Sequence, residues 1–154
     1  MAQSRKFDQS RFNAFNSKAI EKAESLFKNL GYSVEHPENK YVVDLVVRKE
    51  DSTFAVEVEV KSAWVGLEFP FEDIQFLPRK YEKWFDKKYT LGHRTHWLLF
   101  NKDLSHHLMV RDVEIKHAME FNSFRDVFLT NHDCKEKFLC IPFKDCKIDP
   151  LGSL

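Results

Sequence analysis

Residues 41–61 read YVVDLVVRKEDSTFAVEVEVK, and the way this stretch pairs with itself decides the fold. Two runs rich in β-branched residues, 41–49 and 54–61, flank the polar quartet Glu50-Asp51-Ser52-Thr53, the pattern of a β-hairpin. A four-residue turn pairs Lys49 with Phe54. Counting back along the antiparallel ladder then sets Asp44 opposite Glu59, and Glu57 opposite Val46. Directly opposed residues share a face, with Cβ atoms roughly 5 Å apart. Two carboxylates that close repel unless something positive lies between them, and a pair of hard oxygen donors at that separation suits a divalent cation. Lys61, two positions past Glu59, falls on the same face and lies diagonally from Asp44.

A plainer reading competes. The alternation through 54–61 is also what a half-buried strand with a solvated charged face shows, and there Glu57, Glu59 and Lys61 are simply wet. Asp44 weighs against it. It interrupts 41–47, a run apolar on both faces like an interior strand, where a carboxylate without a partner costs several kcal/mol.

An acid on one strand and acid-x-Lys on the next, here Asp44 and Glu59-Val60-Lys61, resembles the signature of the PD-(D/E)xK nuclease superfamily. The apolar run before the triplet and Ser62 after it are similar to the triplet strand of archaeal Holliday-junction resolvases and Mrr-type enzymes. Val43 stands where the signature has its Pro, which is often missing in the superfamily. The resemblance spans residues 17–101. It implies an α/β, restriction-endonuclease-like αβββαβ core with a mixed central β-sheet flanked by helices. It also implies a metal-dependent nuclease acting on DNA and leaving a 5′-phosphate. Asp44, Glu59 and the backbone carbonyl of Val60 would hold Mg²⁺ or Mn²⁺, and Lys61 would orient or deprotonate the attacking water. Superfamily members often carry a metal-binding Glu on the first helix, so Glu21 and Glu24 are candidates, although either is ordinarily a solvated helix carboxylate. A Glu57-x-Glu59 pairing would resemble an acid-x-acid variant of the triplet. On the register above, Glu57 only tunes the local field. A homodimer, which would favour symmetric cuts, stays open.

Length and composition fit one domain over residues 1–154, with 1–16 as an N-terminal arm, 17–101 as the core and 102–154 as added strands and a helix. The 154 residues, 43% hydrophobic with fifteen Phe, can bury a sizeable core. No apolar run reaches the roughly 18 residues of a membrane span, and the polar start MAQSRKFDQS is unlike a signal peptide, so a cytoplasmic protein is expected. Formal net charge is zero, but its distribution is uneven. Between residues 50 and 77 seven acids face Lys61 alone, whereas between 78 and 94 six bases outnumber two acids. An acidic focus beside a basic flank suits a metal site next to a phosphate track.

Other elements follow in order. Ser17 reads as the N-cap of a helix over 17–30 that Gly31 ends, followed by a short strand over 32–35. Residues 63–71 read as an aromatic loop over the site. A helix over 79–89 puts Lys80, Lys83 and Lys87 on one stripe; with Arg79 these are candidate DNA-backbone contacts, or else an ordinary solvated lysine face. Strands are expected over 95–100, 107–113 and 137–143, with 114–128 partly helical, and His106-His107 as surface turn residues. Cys134, Cys140 and Cys146 are odd in number and spaced by six, which argues against a disulfide framework and for free thiols.

Two other functions stay open. One is a catalytically silent member of the same fold that binds nucleic acid or protein, against which the retention of Asp44, Glu59 and Lys61 counts. The other is a zinc-stapled interaction module built on His132 and the three cysteines, although structural zinc ligands usually come as closer Cys pairs.

Overall fold

The computed structural model describes residues 9–38, 43–76, 78–121, 124–129, 134–143 and 148–150. Helix α1 spans Gln9–Asn29, so Ser17 lies inside it instead of capping it; no Gly or Pro between residues 9 and 17 stops the helix earlier. Gly31, with φ +90°, turns the chain out of the helix. Ala19, Ala23, Leu26 and Phe27 recur at helical spacing and are almost fully buried against Leu45, Val47, Phe54, Val56 and Val58. Burial of Leu26 and Phe27 contributes about 1.5–3 kcal/mol each.

Strands β1 (Ser33–Glu35), β2 (Leu45–Lys49) and β3 (Ser52–Val60) follow α1. After them come β4 (Asp73–Phe76), α2 (Pro78–Trp84), α3 (Lys87–Thr90), β5 (Thr95–Phe100) and β6 (His106–Val110). The chain continues with α4 (Asp112–Glu120), β7 (Phe124–Leu129), β8 (Cys134–Pro142) and β9 (Ile148–Pro150). Six strands form one sheet in the order β1-β2-β3-β5-β6-β9. Among the described residues only β3 and β5 run parallel, so the sheet is mixed, as expected. The remaining three described strands form a second sheet, β4-β8-β7, of which neither β4 nor β7 has a strand counterpart in the sequence reading. It packs Ile74, Phe76, Leu139 and Ile141 against Trp97, Leu99, Leu108 and Val110 of the main sheet. One face of that sheet therefore meets α1 and the other meets α2, α4 and the second sheet.

Four expectations need correction. First, the hairpin register differs: Lys49 pairs with Ser52, not Phe54. Glu50 adopts φ +53°, which closes the hairpin over Glu50-Asp51 alone and frees Ser52 and Thr53 to join β3. Side chains alternate with period two, so this two-residue shift keeps every side chain on its face but changes its partner. Leu45 pairs with Val56, which brings Asp44 level with Glu57 instead of Glu59. Second, the helix expected over 79–89 breaks after Trp84. Asp86 caps a separate α3 by accepting the Lys88 N–H at 2.9 Å, so Lys83 and Lys87 share no helical stripe. Third, the strand expected over 107–113 ends at Val110, and Arg111, capped by Glu114, opens α4. Fourth, His107 is fully buried in β6 beside the Phe100 ring instead of exposed in a turn.

Candidate active site

Strand alternation directs Ala55, Glu57 and Glu59 of β3 away from α1, because Val56 and Val58 pack on that helix. Val46 of β2 lies on the same side as Ala55, and Asp44 precedes it by two residues. The acids inferred from the sequence thus share one face of the sheet. Asp44 stands at a bend just before β2, partly exposed, and its Oδ2 accepts the Val58 N–H at 2.8 Å. That bond ties the start of β2 to β3 where the regular ladder has ended. Lys61 directs its N–H to the Phe100 carbonyl of β5. Val58 and Val60, three and one positions earlier, point their backbone groups the other way, toward the Asp44 side.

Glu57 is 8% exposed, the most enclosed of the group. A carboxylate so placed needs donors, and the Tyr89 hydroxyl supplies one to Oε1 at 2.5 Å. Tyr89 packs from α3 against Val43, Val46 and Ala55, with Lys83 Nζ 5.6 Å above its ring. Burial, followed by the charge and hydrogen bond of Glu57 and the charge of Asp44, holds the Tyr89 hydroxyl well above the ordinary tyrosine range. The charges of Asp44 and Glu57 are thus both felt at this hydroxyl.

Glu59 lies one step along the face and has different company. Its Oε1 pairs with Lys61 Nζ at 3.2 Å, and its Oε2 accepts the Trp97 indole N–H at 3.1 Å. Trp97 stacks on Trp84, rings 4.9 Å apart, which fixes the indole. Neither Tyr89 nor Trp97 stood out in the sequence. Tyr89 depends on the helix break at Asp86, and Trp97 depends on the parallel β3–β5 pairing, which no local pattern encodes.

The helix candidates go elsewhere. Glu24 bonds Lys28 and His36, both at 2.8 Å, and these two bonds hold its carboxyl below the usual range. Glu21 lines an open groove with Lys18, Lys22, Asp103 and Leu104. Both sit on α1, across the sheet from Glu57 and Glu59. Lys83 and Lys87 are exposed on the α2–α3 side, beside Tyr89, while the side chains of Arg79 and Lys80 lie outside the described residues. Cys140 is a buried free thiol whose pKa burial pushes up; His132, Cys146 and the Cys134 side chain lie outside the described residues.

The donor chemistry fits a hard divalent cation. Asp44, Glu57 and Glu59 are carboxylates on one face, with strand carbonyls directed toward Asp44. Among the described residues no three His, Cys, Asp or Glu side chains form a ready cage. The arrangement therefore suits an ion held by two carboxylates that keeps several waters, as magnesium does.

No protein-family model matches the chain, and no curated protein matches it in sequence. Solved structures do. A Holliday junction resolvase from the archaeal hyperthermophile Archaeoglobus fulgidus superposes with TM-score 0.50 at 9% identity, covering 80% of this chain and 81% of that one. A bacterial homing endonuclease gives TM-score 0.41 at 14% identity, over 65% and 68% of the two chains. A nuclease from a fusellovirus gives 0.47 at 15% identity, over 95% and 90%. The chain has the restriction-endonuclease-like fold. Among the described residues no helix is long and apolar enough to cross a membrane.

Proposed function

We propose that the protein is a divalent-metal-dependent nuclease that hydrolyses phosphodiester bonds of DNA and leaves a 5′-phosphate. The observation that carries this reading is the gathering of Asp44, Glu57, Glu59 and Lys61 on one face of a restriction-endonuclease-like sheet. Asp44 and Glu57, level across the hairpin, are the carboxylates assigned to Mg²⁺ or Mn²⁺, with a backbone carbonyl of Val58 or Val60 as a further donor. Glu59, which a register with Lys49 opposite Phe54 would bring to the metal, is read here as the residue that holds Lys61, on the strength of their ion pair. When bound, the dication supplies Lewis acidity and positive charge at the scissile phosphate.

The remaining work falls to the chain. The Lys61 ammonium, anchored by Glu59, orients the attacking water and offsets phosphate charge. Trp97 holds the second Glu59 oxygen and limits where Lys61 can reach. Exposed Lys83 and Lys87 offer point charges to the DNA backbone on the Tyr89 side.

Incubation of the purified protein with linear, circular, branched and single-stranded DNA, in Mn²⁺ and in EDTA, tests the reading. Metal-dependent cleavage with 5′-phosphate ends is expected. DNA binding without cleavage in Mn²⁺ would instead mark a silent member of the fold, and stoichiometric zinc in the purified protein would favour an interaction module on the cysteine-bearing tail.

A further inference from the structure

We infer that Tyr89 is a positioning residue for the candidate metal site, its hydroxyl fixing the Glu57 carboxylate for the cation. The inference rests on the nuclease reading in one respect, that Glu57 is a metal ligand.

The geometry is specific. Glu57 is nearly enclosed, so water contributes little to holding its carboxylate, and the Tyr89 hydroxyl donates to Oε1. The phenol arrives in one direction because its surroundings leave it little freedom. Val43, Val46 and Ala55 pack against it, and Lys83 lies over its ring. Helix α3, which carries it, is closed at both ends. Asp86 caps the start, and Leu91, in the left-handed region at φ +57°, turns the chain at the end. The Tyr89 bond engages Oε1, one of the two oxygens through which a carboxylate can take a cation. Donors of this kind orient metal-binding carboxylates, and their loss typically lowers metal affinity about 10–100-fold.

A purely structural tyrosine would share the packing but not the effect on the cation. Mn²⁺ affinity, read by the electron-spin-resonance signal of free Mn²⁺ without DNA, separates the two. Tyr89→Phe keeps the ring among Val43, Val46 and Ala55 and removes the hydroxyl. The variant is expected to bind Mn²⁺ about 10-fold more weakly and to recover cleavage when Mn²⁺ is raised to saturation. Affinity within twofold of the parent, or a cleavage loss that saturating Mn²⁺ leaves in place, overturns the inference while the nuclease reading stands. A parent protein that binds no Mn²⁺ overturns both. Should Tyr89→Phe fail to fold, substoichiometric Mn²⁺ added to the parent should broaden the Tyr89 ring resonances before those of Tyr32 and Tyr81. Uniform broadening, or none, counts against it.

Discussion

The Asp44 carboxylate accepts the backbone N–H of Val58 at 2.8 Å, so the acid at the mouth of β2 is tied to the strand that carries Glu57 and Glu59. The bond falls one residue past the level partner of Asp44 and holds the register where the regular ladder has ended. It also makes the roles of the two glutamates distinguishable.

Asp44→Asn and Glu57→Gln should each lower cleavage by about 100-fold or more, since losing a ligand costs at least as much as losing a group behind it. Glu59→Gln should lose less and keep Mn²⁺ affinity near that of the parent. Single-turnover rates with Mn²⁺ titrations check both, and the reverse ranking of the glutamates would make Glu59, not Glu57, the metal ligand.

The parts of this arrangement differ in how far the sequence carries them. The alternation of Phe54 through Lys61 announces the face, and the face survives because the register error is two residues, an even number. The partner across the hairpin is another matter, since it hangs on one dihedral angle, that of Glu50, a residue with no strong preference for the left-handed region. Likewise the apolar run 95–100 reveals β5 to the residue but not that it lies parallel to β3. Glu21 and Glu24 lie apart from Glu57 and Glu59 for a topological reason. Their helix packs on Val56 and Val58, the opposite side of the strand from Glu57.

Lys61→Ala should abolish most cleavage while leaving Mn²⁺ affinity within about twofold, because Lys61 is not a ligand. Lys61→Arg should be nearly as impaired, since a planar guanidinium cannot occupy the same point as an ammonium. The Lys61–Glu59 pair is about one-quarter exposed, so thermal stability should shift by less than about 1 kcal/mol in either variant. Turnover near that of the parent in Lys61→Ala would return this residue to a solvated face.

Glu24→Gln should leave cleavage within twofold of the parent, since its partners are Lys28 and His36 on the far side of the sheet. A rate loss comparable to that of Asp44→Asn would bring α1 back into the site.

His96 provides a pH test of the fold. Burial lowers its pKa below the ordinary 6.5, outweighing the nearby Asp112 charge, and its Nδ1 accepts the Asp112 N–H at 3.2 Å. The unfolded chain takes up a proton near pH 6.5 that the folded chain resists, so this contribution is complete above that pH and is lost as pH falls through the folded value. His96→Gln should therefore show a shallower fall in Tm than the parent between about pH 7.5 and 5. Equal slopes would mean that His96 titrates normally in the fold.

Anomalous diffraction at the manganese edge, from crystals soaked in Mn²⁺, tests the central assignment most directly. One peak within bonding distance of both Asp44 and Glu57 is expected, roughly 2.0–2.2 Å from their oxygens and with Tyr89 behind Glu57. A peak bound by Glu59 without Glu57, a peak on α1 at Glu21, or an empty Asp44–Glu57 face at saturating Mn²⁺ would contradict it.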